Sequence, residues 1–180
     1  MNHSAIITAT QNWLTSFIIS YNICPFAKQV HDHNRIRYQV QDSDKPEACL
    51  EALIAECRHL DDQPAVATTL LILPTACVAF DDFLDLLAIA EQLLVEQGYE
   101  GIYQLASFHP DYCFADSNQD DPANYTNRSL YPMWHIIREA DLERVLQDYQ
   151  HPELIPERNI KLTRDMGLAK IQALLVACKK

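Results

Sequence analysis

The sequence predicts a single α/β (or α+β) domain over residues 1–180, with a mixed, mostly parallel sheet of about four strands covered by helices. Three observations predict it. Segments with helical apolar spacing alternate with short segments of strand spacing, as in chains that wind helices over a sheet. The run from Val66 to Leu73 is nearly continuous in apolar residues and stops at Pro74, which fits a strand buried on both faces. The length supplies one core of ordinary size, and no internal repeat or low-complexity segment divides it.

The first helix is expected from about Ala5 to Tyr21, where Ile6, Trp13, Leu14, Phe17, Ile18 and Tyr21 recur on one face, with Asn22 as its stop. Cys24 precedes Pro25, and the residue before a proline is pushed out of the α region. Pro25 then suits the first position of a helical turn toward Val30, with Cys24 at its N-cap. Ile36, Tyr38 and Val40 alternate with Arg35, Arg37 and Gln39, as in a half-buried strand. Asp44 is expected to cap a helix from about Lys45 to Leu60, with Leu50, Leu53, Ile54 and Cys57 facing inward. After the buried strand comes Phe80 to Gln97, the strongest helix, with Asp81, Asp82 and Asp85 near its positive end and Gly98 just past it. Ile102 to Phe108 is the next strand. Met133 to Ile137 fits a strand or a helix; Asp141, read as the N-cap of a helix to Tyr149, favours the strand. One or two helices follow, punctuated by Pro156 and Gly167.

Composition narrows the function classes. The formal net charge of -11 disfavours nucleic acid and anionic membrane as partners, since both need a basic surface. The locally basic tail (Arg158, Lys161, Arg164, Lys170, Lys179, Lys180) reads as mixed-charge surface helix. Only Gly98, Gly101 and Gly167 are glycines, so neither a phosphate-cradling Walker loop nor a dinucleotide fingerprint is present. A GxSxG elbow is also absent. An anion must be held by side chains or by an ordinary helix N-terminus. The first residues lack a basic leader, and Thr8, Thr10, Gln11, Asn12, Thr15 and Ser16 interrupt the early apolar stretch, so neither a signal peptide nor a membrane span is expected. Six cysteines without a CxxC pattern then point to free thiols in a cytoplasmic protein.

Gln104 to Glu139 is the stretch expected to carry function. A polar connection lies between its two apolar runs, and unstructured connections beyond about 12–15 residues are usually functional or disordered. This one holds aromatics and three prolines, so an ordered site loop is expected. Four groups are candidates. Cys24 is a thiolate nucleophile or metal ligand at a helix start, or a small buried hydrophobe. His109 lies at the C-terminal end of a strand, where ligands of open α/β sheets gather, with Asp111 placed to orient its ring. Asn124, Asn127 and Arg128 suit a carboxylate or phosphate, or tie the loop together through its carbonyls. His135 shares a strand face with Met133 and Ile137, while Arg138 points the other way; Arg138 is counted with the substrate-binding residues. His109, His135 and a carboxylate would make an open metal site, although no spacing demands one. Asp116, Asp120 and Asp121 read as a solvated acidic tip.

Cys24-Pro25-Phe26-Ala27, Thr68 to Pro74 (TTLLILP), Gln104 to Tyr112 (QLASFHPDY), Asn124 to Ser129 (NYTNRS), Tyr131-Pro132 and His135 to Glu139 (HIIRE) resemble a bacterial family catalogued as domain of unknown function number 1415. The resemblance covers nearly the whole chain, with Leu130 standing where the family is expected to have proline. It implies no activity.

The residues themselves lead to an expectation of an enzyme carrying out hydrolysis or group transfer on a small anionic metabolite. Cys24, His109, Asp111 and His135 would be catalytic, and Asn124, Asn127, Arg128 and Arg138 would hold the substrate. The alternative is a noncatalytic anion- or metal-binding module built on the same loop. No cofactor, metal or oligomeric state follows from the sequence.

Overall fold

Helix α1 (His3–Trp13) starts where the Asn2 side chain accepts the Ala5 N–H at 3.3 Å. The structure, a computed structural model, describes residues 2–147 and 149–179. The apolar face of α1 (Ile6, Ala9, Trp13) runs directly into a π-helical segment, Leu14–Ile19, which buries Leu14, Phe17 and Ile18. The expected first helix is therefore two kinds of helix in series. Asn22, at φ 54, ends it in the left-handed region that asparagine tolerates. Next come α2 (Ala27–Asp32), β1 (Ile36–Val40), α3 (Pro46–Asp62), β2 (Thr68–Ile72), α4 (Phe80–Glu96) and β3 (Tyr103–Phe108). A 3-10 turn (Pro122–Thr126) sits in the long loop, followed by β4 (Met133–Arg138), α5 (Glu139–Gln147), α6 (Ile155–Met166) and α7 (Leu168–Ala177). The helix expected to reach Tyr149 is described to Gln147; Asp148, like Met1 and Lys180, lies outside the described residues. It also starts at Glu139, so Asp141 is in its first turn and not at its N-cap.

The class is α/β with a mixed sheet, in the order β1-β2-β4-β3. Among the described residues, only β1 and β2 pair in parallel; β4 is antiparallel to both β2 and β3. This corrects the mostly parallel expectation. Strands β1, β2 and β3 do run the same way, because α3 and α4 carry the chain back between them. The β3–β4 connection contains no crossover helix, so the chain reverses, and β4 inserts between β2 and β3.

Strand alternation divides the core. One face (Tyr103, Leu71, Trp134, Ile136) packs under α3 and α4 with Leu53, Cys57, Phe83 and Ala90. On that side Arg37 forks onto the buried Glu56 at 2.7 and 3.0 Å, and Thr69 donates to the same carboxylate. The other face (Val40, Leu70, Ile72, Met133, with Tyr38 and Phe108) packs under α1, the π-helical segment and α7. Among the described residues, no helix is long and apolar enough to cross a membrane.

Candidate functional site

On the face under α1, the middle row of the sheet is Tyr38, Leu70, His135 and Ala106, which are register partners across all four strands. At this row the core opens into a cavity of about 310 Å³, within the size range of ligand pockets. Trp13, Leu14 and Ile18 come from the first helices, Leu70 and Ile137 from the sheet, and Leu142 and Val145 from α5. The π-helical segment thus forms part of a cavity wall, and such irregular turns recur at functional sites.

His135 is half-buried and faces this cavity. Burial alone pushes its pKa from 6.5 down to about 4, with no hydrogen bond or charge to offset it. The ring is neutral at physiological pH and keeps one donor and one acceptor available. Phe108 lies beside it, ring centroids 6.5 Å apart, and Trp13 meets Phe108 edge-on at 5.4 Å. Arg35, Arg144 and Asp141 stand at the cavity rim. Arg144 bonds Asp141 at 2.6 Å and is otherwise open to solvent, while Arg35 donates to the Ala65 carbonyl at 3.0 Å.

Cys24 lines the same cavity, but its local structure differs from the expectation. Helix α2 begins at Ala27, so Cys24 is not its N-cap; its carbonyl accepts the Ala27 N–H at 3.3 Å. With only six residues, α2 has little dipole to offer. Burial raises the Cys24 thiol above its usual range, against smaller lowering effects from the Phe26 and Ala27 backbone and Arg158. At neutral pH it is a thiol, not a thiolate.

The long loop holds itself together with the residues expected to hold a ligand. His109 is fully buried, packed on Phe80 and Phe83 of α4 at 5.3 and 5.1 Å, and therefore lies on the sheet face opposite Cys24. Its Nδ1 accepts the Asp111 backbone N–H at 3.0 Å, so Nε2 carries the proton and donates to the Cys77 carbonyl at 3.1 Å. Desolvation lowers its pKa, against smaller raising effects from the Cys77 carbonyl and Asp111. Asp111 orients the ring through its backbone, and its own side chain is exposed. Arg128 donates from Nε to the Tyr112 carbonyl and from Nη2 to the Gln119 carbonyl and amide oxygen, each at 2.9 Å, and lies over the Tyr125 ring. Asn124 is fully buried; Nδ2 donates to the Asn118 carbonyl at 2.8 Å and Oδ1 accepts the Phe114 N–H at 3.1 Å. Leu130, the departure from the family pattern, is buried in the core below α1. Asp121 takes a two-pronged ion pair from Arg164 of α6, so it is an anchor and not a solvated tip.

Cys24, His135 and the Arg138 backbone region therefore meet at one cavity, while His109, Asp111, Asn124 and Arg128 line neither it nor the neighbouring one. Asn127 lines the neighbouring cavity with Cys24. The Arg138 fork is turned to the opposite sheet face, where it bonds Tyr103 Oη at 3.0 Å and the Leu60 carbonyl at the end of α3. His109 and His135 cannot share a metal across the sheet. Among the described residues, no group of three or more His, Cys, Asp or Glu side chains could hold a metal ion. Sequence reasoning missed Trp13, Phe108, Arg35 and Arg144. Nothing in the sequence joins Arg35 to Arg144, which are far apart along the chain; the fold brings them to one opening.

No curated protein and no solved structure matches this chain. A family model described as protein of unknown function (DUF1415) matches residues 5–173, and the chain belongs to that family.

Proposed function

We propose that the chain is a binding module for a small anionic molecule with an apolar body, taken up in the cavity over His135. The observation that carries this reading is the His135 ring, a half-buried imidazole on the floor of a mainly apolar cavity, with no hydrogen bond to any of the described residues. Burying a polar group without a partner is costly, and a strand position facing a core is ordinarily filled by an aliphatic residue. A ligand that supplies the missing partner offsets the cost. The guanidiniums of Arg35 and Arg144 at the rim select the sign of its charge. Calorimetric titration with octanoate, octanol and octylamine tests this. Octanoate should bind best and octylamine worst, and His135→Leu should weaken octanoate by about tenfold, the worth of one hydrogen bond to a charged group. Equal binding of octylamine and octanoate, or no binding of octanoate, contradicts it.

A catalytic reading, hydrolysis or group transfer, is favoured by a separate observation: Cys24 and His135 wall the same cavity. No hydrogen bond joins the two side chains; once brought within reach, the imidazole would take the thiol proton as the sulfur attacks an acyl carbonyl, and the displaced alcohol would leave with a proton. Incubation with p-nitrophenyl octanoate followed by intact-mass measurement tests it. An octanoyl adduct on Cys24, or steady nitrophenol release lost in Cys24→Ala, supports catalysis; an unchanged mass without turnover leaves binding alone.

A further inference from the structure

Ile18, Cys24 and Phe108 wall the cavity over His135 and also a second cavity of about 420 Å³. One layer of side chains is thus common to both. The two differ in polarity in a directed way. The first holds the His135 ring and, at its rim, Arg35 and Arg144, two cations against the single carboxylate of Asp141 that pairs with Arg144. The second lies between the long loop and α6 and is walled by Ile23, Phe114, Ile155, Pro156 and Ile160. Its polar residues are already engaged. Asn127 donates to the Ser107 carbonyl and accepts from Thr126 Oγ1; Asn159 donates to the Ile23 carbonyl and accepts from Arg158. A wall whose amides are tied to the protein's own carbonyls and donors, among five aliphatic or aromatic residues, offers a ligand mainly apolar contact.

We infer that the ligand is an elongated monocarboxylate, with its carboxylate at the His135 end and its hydrocarbon chain passing Cys24 and Phe108 into the second cavity. This deepens the binding reading above and rests on it. The order of the walls argues for the occupant: cations and an unpartnered imidazole first, an aromatic ring and a thiol next, aliphatic side chains last. A compact anion leaves the second cavity unused, and a ligand with a polar tail gives up its hydration there for a mainly apolar wall.

The test is a series of straight-chain acids (hexanoate, octanoate, decanoate, dodecanoate) titrated calorimetrically below their micelle-forming concentrations. The dissociation constant should fall about fourfold with each methylene through dodecanoate, because each one leaves water. Ile160→Trp, which fills the second cavity from a half-buried position on α6, should abolish the gain from decanoate to dodecanoate while hexanoate still binds. If that variant melts far below the unaltered protein, Phe114→Trp, at a partly exposed position on the same wall, takes its place. A gain that stops at octanoate in the unaltered protein, or that persists undiminished in the wall variant, overturns the elongated ligand while leaving the binding of short carboxylates standing. Failure of every acid to bind overturns both.

Discussion

Replacing His135 with leucine should change how the protein's stability depends on pH. The folded ring has a pKa of about 4, against 6.5 for the free side chain. Between those values the unfolded chain binds the proton and the folded chain does not, so stability falls as pH drops through the window and is fully present above it. The gap corresponds to about 3 kcal/mol. About 2 kcal/mol of this is lost between neutral pH and about pH 4.5. The shifted carboxylates Asp32, Asp42, Asp121 and Glu153 all titrate below their usual values and act at lower pH. His109 is also depressed, but it is present in both proteins and cancels in the comparison. Urea unfolding at a series of pH values measures the effect. The His135→Leu curve should be flatter, with the difference between the proteins moving by about 2 kcal/mol in favour of the variant as pH falls. Parallel curves would show that His135 is solvated or partnered in solution, and would remove the basis for a ligand-seeking imidazole.

Arg128→Ala should lower stability by about 2–4 kcal/mol, because two loop carbonyls lose their donor in a buried setting. The loss should be the same with and without sulfate, and an anion-dependent rise in the melting temperature confined to the unaltered protein would restore Arg128 as a ligand group. Cys24 should react with iodoacetamide more slowly than a free thiol at neutral pH, because burial holds it protonated; peptide mapping that finds Cys24 labelled first would reverse this. Arg37→Ala should cost about 2 kcal/mol, below the usual range for a broken buried pair because Arg37 is one-third open to solvent. Arg37→Met with Glu56→Leu should recover most of that loss, and a double variant as unstable as Arg37→Ala would refute the pairing argument.

The strands were legible because each has a simple pattern. Ile36 to Val40 alternates, Thr68 to Ile72 is buried at every position and lies within the largely apolar run Val66 to Leu73, and both fall where the pattern places them. The reversal of β4 was less legible, since nothing within Met133 to Arg138 encodes its neighbours; the signal was the missing helix in the preceding connection. Alternation also put His135 on the face of Met133 and Ile137, which is where it lies, but what covers that face is decided by α1 and α5, far away in sequence. The loop residues misled for a chemical reason. An arginine fork and an asparagine amide offer the same donors to a ligand oxygen as to a carbonyl of their own loop, and here Tyr112, Asn118 and Gln119 supply those oxygens. Helix α2 starting at Ala27 and not at Pro25 took away the dipole that would have lowered the Cys24 thiol.

The most direct measurement is side-chain NMR of ring-labelled histidines during an octanoate titration at neutral pH. The His135 ring nitrogens should move saturably, with the titration curve matching the calorimetric affinity. His109, on the opposite sheet face with both nitrogens engaged, should stay still. A stationary His135 while octanoate binds would place the ligand elsewhere and contradict the cavity over His135 as the site.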